Sequence, residues 1–383
     1  LKLRPWRNLG WIALDYACVL LVAGGAIGFH FLCQERGMNW AWEVPVVLVA
    51  VFLVGILQHR IGLMGHEASH YLLLPDRKWN DRLANLLVFH PLFSEIGLYR
   101  KKHTGHHLHP NDPEKDPNLF GDKVERVYAK FPMEKGSFVR FFYFMFFWPP
   151  FVLGILQDLF LSLTTGTRKG KQAGAPVRPK MALAGLGWFI LTSLVLVGST
   201  LAGVRCWPVI GAMNALALVV CACAPARWFG GEEQGRAGDA RLSALQRLVF
   251  NALLLLTLTV LSQRFGGQVL AGFVVLWIFP LIYVFPYLMH LREIYQHANA
   301  GRGELDNTRI MHVGPVTRWV LMGYGNDFHL IHHLYPNIPH DRLEEVHREL
   351  LRESAEYAAA VQETHGVIHA PAGRQSVLDV LAR

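Results

Sequence analysis

The stretch VPVVLVAVFLVGILQHRIGLMGHEASH, residues 44–70, decides how the rest of the chain is read. Residues 44–64 are an apolar run, and a helix of about 20 such residues crosses the hydrocarbon core of a bilayer. The run leads directly into His66-Glu67-Ala68-Ser69-His70. Two histidines four apart share one face of a helix. Imidazole is the commonest metal ligand and is costly inside a membrane, so this span ends by presenting a ligand pair at the bilayer surface.

Further runs lie on both sides. Residues 11–32 precede it, led by Lys2, Arg4 and Arg7, and the link 33–43 carries Trp40 and Trp42 as an interfacial belt. Downstream runs fall at about 183–204, 207–224, 247–263 and 268–289. The AVILMFWYC class makes up 52% of the 383 residues and charged residues 17%, against roughly 25% charged in soluble domains. Mean hydropathy is +0.24. This excludes a disordered chain and a coiled coil and argues against an ordinary cytosolic enzyme. The expected fold is an all-α polytopic membrane protein of about four to six transmembrane helices. Residues 1–383 are expected to form one domain, with a histidine-rich cytoplasmic cap from 65–182 and 290–383. The lower count applies if 183–224 is not a spanning pair.

Segment 138–163 is apolar but is broken by Pro149-Pro150 and carries Arg140 and Asp158. The basic loop 168–180 follows it, so the segment is expected to lie in the interface rather than to cross. The net charge of +8 is read as positive-inside loops and headgroup contacts, with no nucleic-acid partner. The chain starts at Leu1, which is read as a trimmed terminus, and no cleavable signal is expected. Cys18, Cys33, Cys206, Cys221 and Cys223 show no CxxC spacing, which speaks against a disulfide framework or a thiolate metal site.

Two more histidine clusters follow the first: His103-Thr104-Gly105-His106-His107 and His329-Leu330-Ile331-His332-His333. Positions i, i+3 and i+4 of a helix form one patch. With 19 histidines in the chain, an HxxHH triple is expected by chance roughly 0.05 times, and two together call for a function. A single histidine of this kind is ordinarily a solvated or satisfied residue. All-imidazole sets suit zinc, iron, copper or nickel, whereas magnesium and calcium want oxygen. Eight such residues exceed one zinc site, so a two-metal centre is the economical reading. His297, just after the last run, is a candidate ninth ligand. Glu293 lies one turn before it, as a direct ligand, a ligand through water, a hydrogen-bond acceptor or a solvated charge. His290 is read as structural.

The boxes HEASH, HTGHH and HLIHH, in this order, resemble those of the membrane-bound fatty-acid desaturase and hydroxylase superfamily. Their flanks, LLLPDRKWNDRLANLL (72–87), YRKKHTGHHLHPNDPEKDP (99–117) and FHLIHHLYPNIPHDRL (328–343), resemble the same family. The resemblance covers about residues 10–350. It implies a non-haem di-iron centre with O2 as co-substrate. Carried over by position, the ligands are His66, His70, His103, His106, His107, His297, His329, His332 and His333. It further implies hydrogen abstraction from an unactivated C–H bond of an acyl chain, giving a double bond. A lipid or hydrocarbon hydroxylase, or a carotenoid-type oxygenase, is the alternative on the same scaffold. There are departures. HEASH is HxxxH rather than the HxxxxH of the stearoyl-CoA type, no HPGG haem motif is present, and 165–246 is longer than in many relatives.

The expected partners are therefore a lipid or acyl-chain substrate and a separate electron donor, ferredoxin- or cytochrome b5-like. Arg100, Lys101 and Lys102 beside the second box are a candidate docking patch, or else a headgroup-binding one. Asp116, Glu67 and Asp327 are candidate partners for the outer nitrogens of the ligands, although Asp116 before Pro117 also suits a turn. Trp11, Phe89, Phe93, Tyr99 and Trp319 are candidate substrate walls or belt residues. An inner, cytoplasmic membrane with the active site on the cytoplasmic side is expected. The distant rival is a metal transporter, whose histidines should line the spans near the midplane; here the clusters follow span ends. A zinc hydrolase would need HExxH, which HEASH lacks.

Overall fold

The computed structural model describes residues 2–119, 130–144, 180–229 and 237–382. Among these, five stretches are long and apolar enough to cross a membrane: Pro5–Glu35, Trp40–Ser69, Lys180–Ala202, Ala240–Phe265 and Gln268–His297. The first is helix α1 (Pro5–Glu35) and the second is dominated by α2 (Glu43–Ser69). Two short polar-segment helices follow, α3 (Arg77–Ala84) and α4 (Ile96–Leu108). Then come α5 (Lys180–Ala202), α6 (Trp207–Cys223) and α7 (Ala237–Phe265). The last rod is interrupted: α8 (Gln268–Phe273), one wide turn at Val274–Ile278, α9 (Phe279–Ile282), and α10 (Val284–His297). Pro280 and Pro286 lack the amide proton an unbroken ladder needs.

Apolar side chains cover the outer sides of the rods, with Leu21 76% and Leu201 84% exposed. Such surface is unfavourable in water and at ease in lipid. The fold is an all-α integral membrane one. Helix α6 has 17 residues, about 26 Å at 1.5 Å per residue, which is short of a hydrocarbon core of about 30 Å. The run 207–224 forms this short helix, packed against α5 and α7. A small parallel ribbon, β1 (Ile310–His312) with β2 (Glu363–His365), is an addition to the expected helices. The question raised at 138–163, and the basic loop 168–180, lie mostly outside the described residues.

One core joins α1, α2 and α10 through Ala26, Ile56, Val284, Leu288 and Ile294, and takes in Phe138 and Phe142. A buried ion pair locks the same bundle. Arg60 of α2 donates from Nε to Asp15 Oδ1 of α1 at 2.9 Å, and from Nη2 to the Tyr324 hydroxyl at 3.0 Å. Tyr324 in turn donates to Asp15. A buried charge is tolerable only when paired and hydrogen-bonded in this way. The clamp fixes residues 319–324, immediately before the third histidine box, against the two membrane rods.

Candidate metal centre

Two arginines bring the boxes to one place by capping helix ends. The last carbonyls of a helix have no partner within it. At the end of α2, Arg100 of α4 donates from Nε to Ser69 O at 2.8 Å and from Nη2 to Ala68 O at 3.3 Å. The same guanidinium holds both oxygens of Asp81 in α3, at 2.5 and 2.9 Å. This sets the first box against the second, because His103 is one turn along α4 from Arg100. At the end of α10, the fully buried Arg309 donates to Tyr295 O at 2.7 Å and to Ala298 O at 2.6 Å, on either side of His297. The third box forms its own helix, α11 (His329–Leu334). Gly105 lets the turn at Asp116-Pro117 lie on α4, since a Cβ there would stand 2.8 Å from Pro117 Cγ.

All nine histidines meet, in two adjoining groups. His66, His70, His103, His107 and His332 form one; His106, His297, His329 and His333 form the other. Within each group, one nitrogen from every ring lies within 4.8 Å of the rest. In the first, His103 Nε2 is 2.9 Å from His70 Nε2 and 3.0 Å from His107 Nε2, and His107 Nε2 is 3.1 Å from His332 Nε2. In the second, His106 Nε2 and His297 Nε2 are 3.3 Å apart. The groups touch through His107 and His333, whose rings stack at 4.3 Å. Each HxxHH triple is divided rather than presented as one patch. Residues i and i+4 go to one group and i+3 to the other, and the two boxes make opposite assignments.

Electrostatics favour neutral rings with free lone pairs. Burial, with the Arg100 charge adding to it, pushes His70 down to about 4. Burial first, and then neighbouring imidazoles, hold His103, His329, His332 and His333 well below the usual range. Both nitrogens of His66 and Nε2 of His333 are buried with no protein hydrogen-bond partner. Orphaned inward imidazole nitrogens are what a soft or borderline cation would satisfy. His106 is the exception: burial would lower it, but the Asp116 carboxylate at 2.9 Å from Nδ1 raises it. That contact places the Nδ1 proton toward Asp116 and leaves Nε2 facing the group. His297 Nδ1 is held by Asn307 O at 3.0 Å. Glu293 stands at the rim, 3.9 Å from His106 Nε2 and accepting from Asn118 Nδ2 at 2.7 Å.

A sequence profile of the family described as fatty acid desaturase matches residues 40–231 and 227–365. The chain belongs to the fatty acid desaturase family. It is similar to dihydrorhizobitoxine desaturase of Bradyrhizobium elkanii, 34% identical over 140 residues that make up 36% of this chain and 36% of that protein. Delta(8)-fatty-acid desaturase 1 of Arabidopsis thaliana is 29% identical over 131 residues, 34% of this chain and 27% of the relative. Acyl-lipid (9-3)-desaturase of Borago officinalis is 29% identical over 93 residues, 24% and 21%. The chain thus matches between 21% and 36% of the length of these relatives.

Around the centre of this desaturase-family chain, several expected partners are placed differently. Asp116 does meet a histidine. Asp327 instead pairs with Arg318 at 2.5 Å. Glu67 accepts from the His340 amide at 3.1 Å and stands 3.6 Å from His66 Nδ1, too far for a hydrogen bond. Arg100 is spent on Asp81 and the end of α2, so only Lys101 and Lys102 of the basic triplet are exposed. Tyr99 stacks on His103 at 5.6 Å and packs on Phe89 at 5.4 Å. Phe93 faces Phe189, Trp11 faces Tyr324, and Trp319 lies under Arg60. His290 is in neither group. His30 pairs with Glu43 at 2.6 Å. Sequence reasoning missed Arg309 and also passed over His59, buried within α2.

Proposed function

We propose that the chain is an O2-dependent desaturase of membrane acyl lipids, with two irons held by the nine histidines. His66, His70, His103, His107 and His332 would hold one, and His106, His297, His329 and His333 the other, with Glu293 beside the second. The observation that carries the reading is the convergence of nine imidazoles, six of them buried and three half-buried, in two adjoining groups within a desaturase-family chain. When bound, the irons supply the oxidation of an unactivated C–H bond, with O2 as co-substrate.

The protein's own residues do the rest. Asp116 and the Asn307 carbonyl hold the outer protons of His106 and His297, which keeps the inner lone pairs available. Asn118 keeps the Glu293 carboxylate turned toward His106. Tyr99 and Phe89 give the first group an apolar wall that excludes water and suits a hydrocarbon chain. Exposed Lys101 and Lys102 are offered to a separate ferredoxin- or cytochrome b5-like donor. Residues 1–383 act as one membrane domain. The leading Lys2, Arg4 and Arg7 favour a cytoplasmic N-terminus, and hence a centre on the cytoplasmic face of an inner membrane. Because the groups lie where α2 and α10 end, the arrangement suits surface chemistry better than metal transport.

The relatives' names specify different substrates, so the test is made on whole lipid extracts. Cells with and without the protein are compared by mass spectrometry. An acyl species lighter by two hydrogens supports desaturation. A species heavier by one oxygen would reassign the chain to hydroxylation, and no change in any lipid would remove the lipid reading.

A further inference from the structure

A third meeting of imidazoles lies in the polar segment beyond α10, apart from both groups described above. In the β1–β2 ribbon, His312 stands opposite His365. Side chains alternate faces along a strand, so Glu363 and His365 share one face, and His312 shares it across the ribbon. Helix α12 (Leu343–Glu353) closes over that face and brings in His347, buried at 2%. One donor atom from each of His312, His347 and Glu363 lies within 4.8 Å of the others. His312 Nε2 at 3.1 Å and His347 Nε2 at 2.9 Å face the same carboxylate oxygen, Glu363 Oε1. His365 stacks on His312 with centroids 4.6 Å apart, and its Nε2 is buried with no protein partner.

We propose that this cluster is a structural zinc site held by His312, His347 and Glu363, with the His365 ring stacked beside it on the same face. Ligands at about 2.0–2.1 Å from a tetrahedral ion stand about 3.3 Å from one another, so the spacing between the imidazoles and the carboxylate already approaches that of a filled site. Imidazoles with a single carboxylate suit Zn2+; calcium and magnesium would demand mostly oxygen donors. The outer nitrogen is also provided for: His347 Nδ1 is 2.7 Å from the buried Tyr357 hydroxyl, the kind of partner that orients a metal-bound imidazole. Strand β1 lies well before α12 and β2 in the chain, and one ion would tie the three together.

The position gives the site a consequence. Phe328 packs edge-on against His312 at 6.2 Å and at a tilt against His347 at 5.6 Å. It is the residue directly before His329, the first histidine of α11. Zinc would thus stiffen the wall behind the third box. The zinc assignment itself does not depend on the iron reading, because none of its residues belongs to either of the two groups formed by the nine histidines.

The test is elemental analysis of full-length protein purified in detergent from cells supplied with both iron and zinc. The wild type should carry about one zinc per chain in addition to any iron. His312→Ala combined with Glu363→Gln should lose the zinc and keep the iron, whereas His332→Ala should lose iron and keep the zinc. Wild type without zinc, or zinc that survives the first pair and vanishes in His332→Ala, overturns the proposal; the latter would mean that zinc had entered the nine-histidine centre. Should the double variant fail to fold, the zinc K-edge absorption of the wild type decides. Four-coordinate zinc with ligands at about 2.0–2.1 Å supports the cap site, and a five- or six-coordinate all-imidazole zinc refutes it.

Discussion

The half of the molecule that carries the histidines and the α5–α7 hairpins are both built on apolar rods, yet directional bonds weigh more in the first and apolar contact more in the second. In the first, hydrogen bonds link side chains to carbonyls far away in sequence: Gln58 to Trp277 O at 2.9 Å, Gln296 to Asn326 O at 2.8 Å, Arg309 to Tyr295 O at 2.7 Å. In α5–α7 such bonds are fewer among the described residues, with Asn214 Nδ2 to Ala252 O at 3.0 Å the buried one between helices, while hydroxyls turn back on their own helices, Thr200 to Leu196 O at 2.7 Å and Thr259 to Leu255 O at 2.6 Å. Most of the packing there is apolar contact among residues such as Leu196, Ile210, Leu255 and Leu258. Apolar contact is non-directional. It holds a hairpin in lipid, but it does not fix the rotation of a helix about its axis. Nine ring nitrogens in two groups require that rotation to be fixed, and directional bonds supply it.

Substitution can break this contrast or sharpen it. The largest effect is expected from His107→Ala, since His107 Nε2 lies within 3.1 Å of both His103 and His332. Activity should fall below detection and iron content should drop. Next comes Asp116→Asn, which removes the acceptor charge behind His106. Activity should fall about 10–100-fold while much of the iron stays, as read by turnover and elemental analysis on one preparation. Loss of all iron would move Asp116 from positioning a ligand to holding the centre itself.

A smaller effect is expected at the surface. Lys101→Glu with Lys102→Glu should raise the apparent Michaelis constant for an acidic electron carrier and leave iron unchanged. The wild-type constant should itself rise with salt, since exposed charges are screened over about 8 Å at physiological ionic strength. An unchanged carrier dependence would return the two lysines to the lipid headgroups. The smallest effect is expected in the hairpin. Leu216, 65% exposed and on a lipid-facing side, should tolerate Ala with a stability change within about 0.5 kcal/mol and no loss of activity. A loss of iron there would erase the difference between the two halves.

The same contrast explains what could be read from the sequence. Apolar runs and i, i+3, i+4 histidines are local patterns, so the rods and the nine candidate ligands were legible. The division of each HxxHH between two groups was not, because it depends on how α4 and α11 are rotated against their neighbours. Arg100 was legible as a charge but not as a cap: its partners Ser69, Ala68 and Asp81 become neighbours only after folding. Asp327 stands two residues before His329 in sequence, yet in the fold its carboxylate pairs with Arg318. The cap cluster spans His312 to Glu363, and its one local hint is Glu-x-His at 363–365, a two-residue period that places both side chains on one face of a strand.

Iron stoichiometry tests the central claim most directly. The full-length protein, purified in detergent from iron-replete cells and shown to be folded, should contain about two irons per chain, each in an imidazole-rich environment by Mössbauer and X-ray absorption spectroscopy. A folded and active protein with one iron or none would contradict the account.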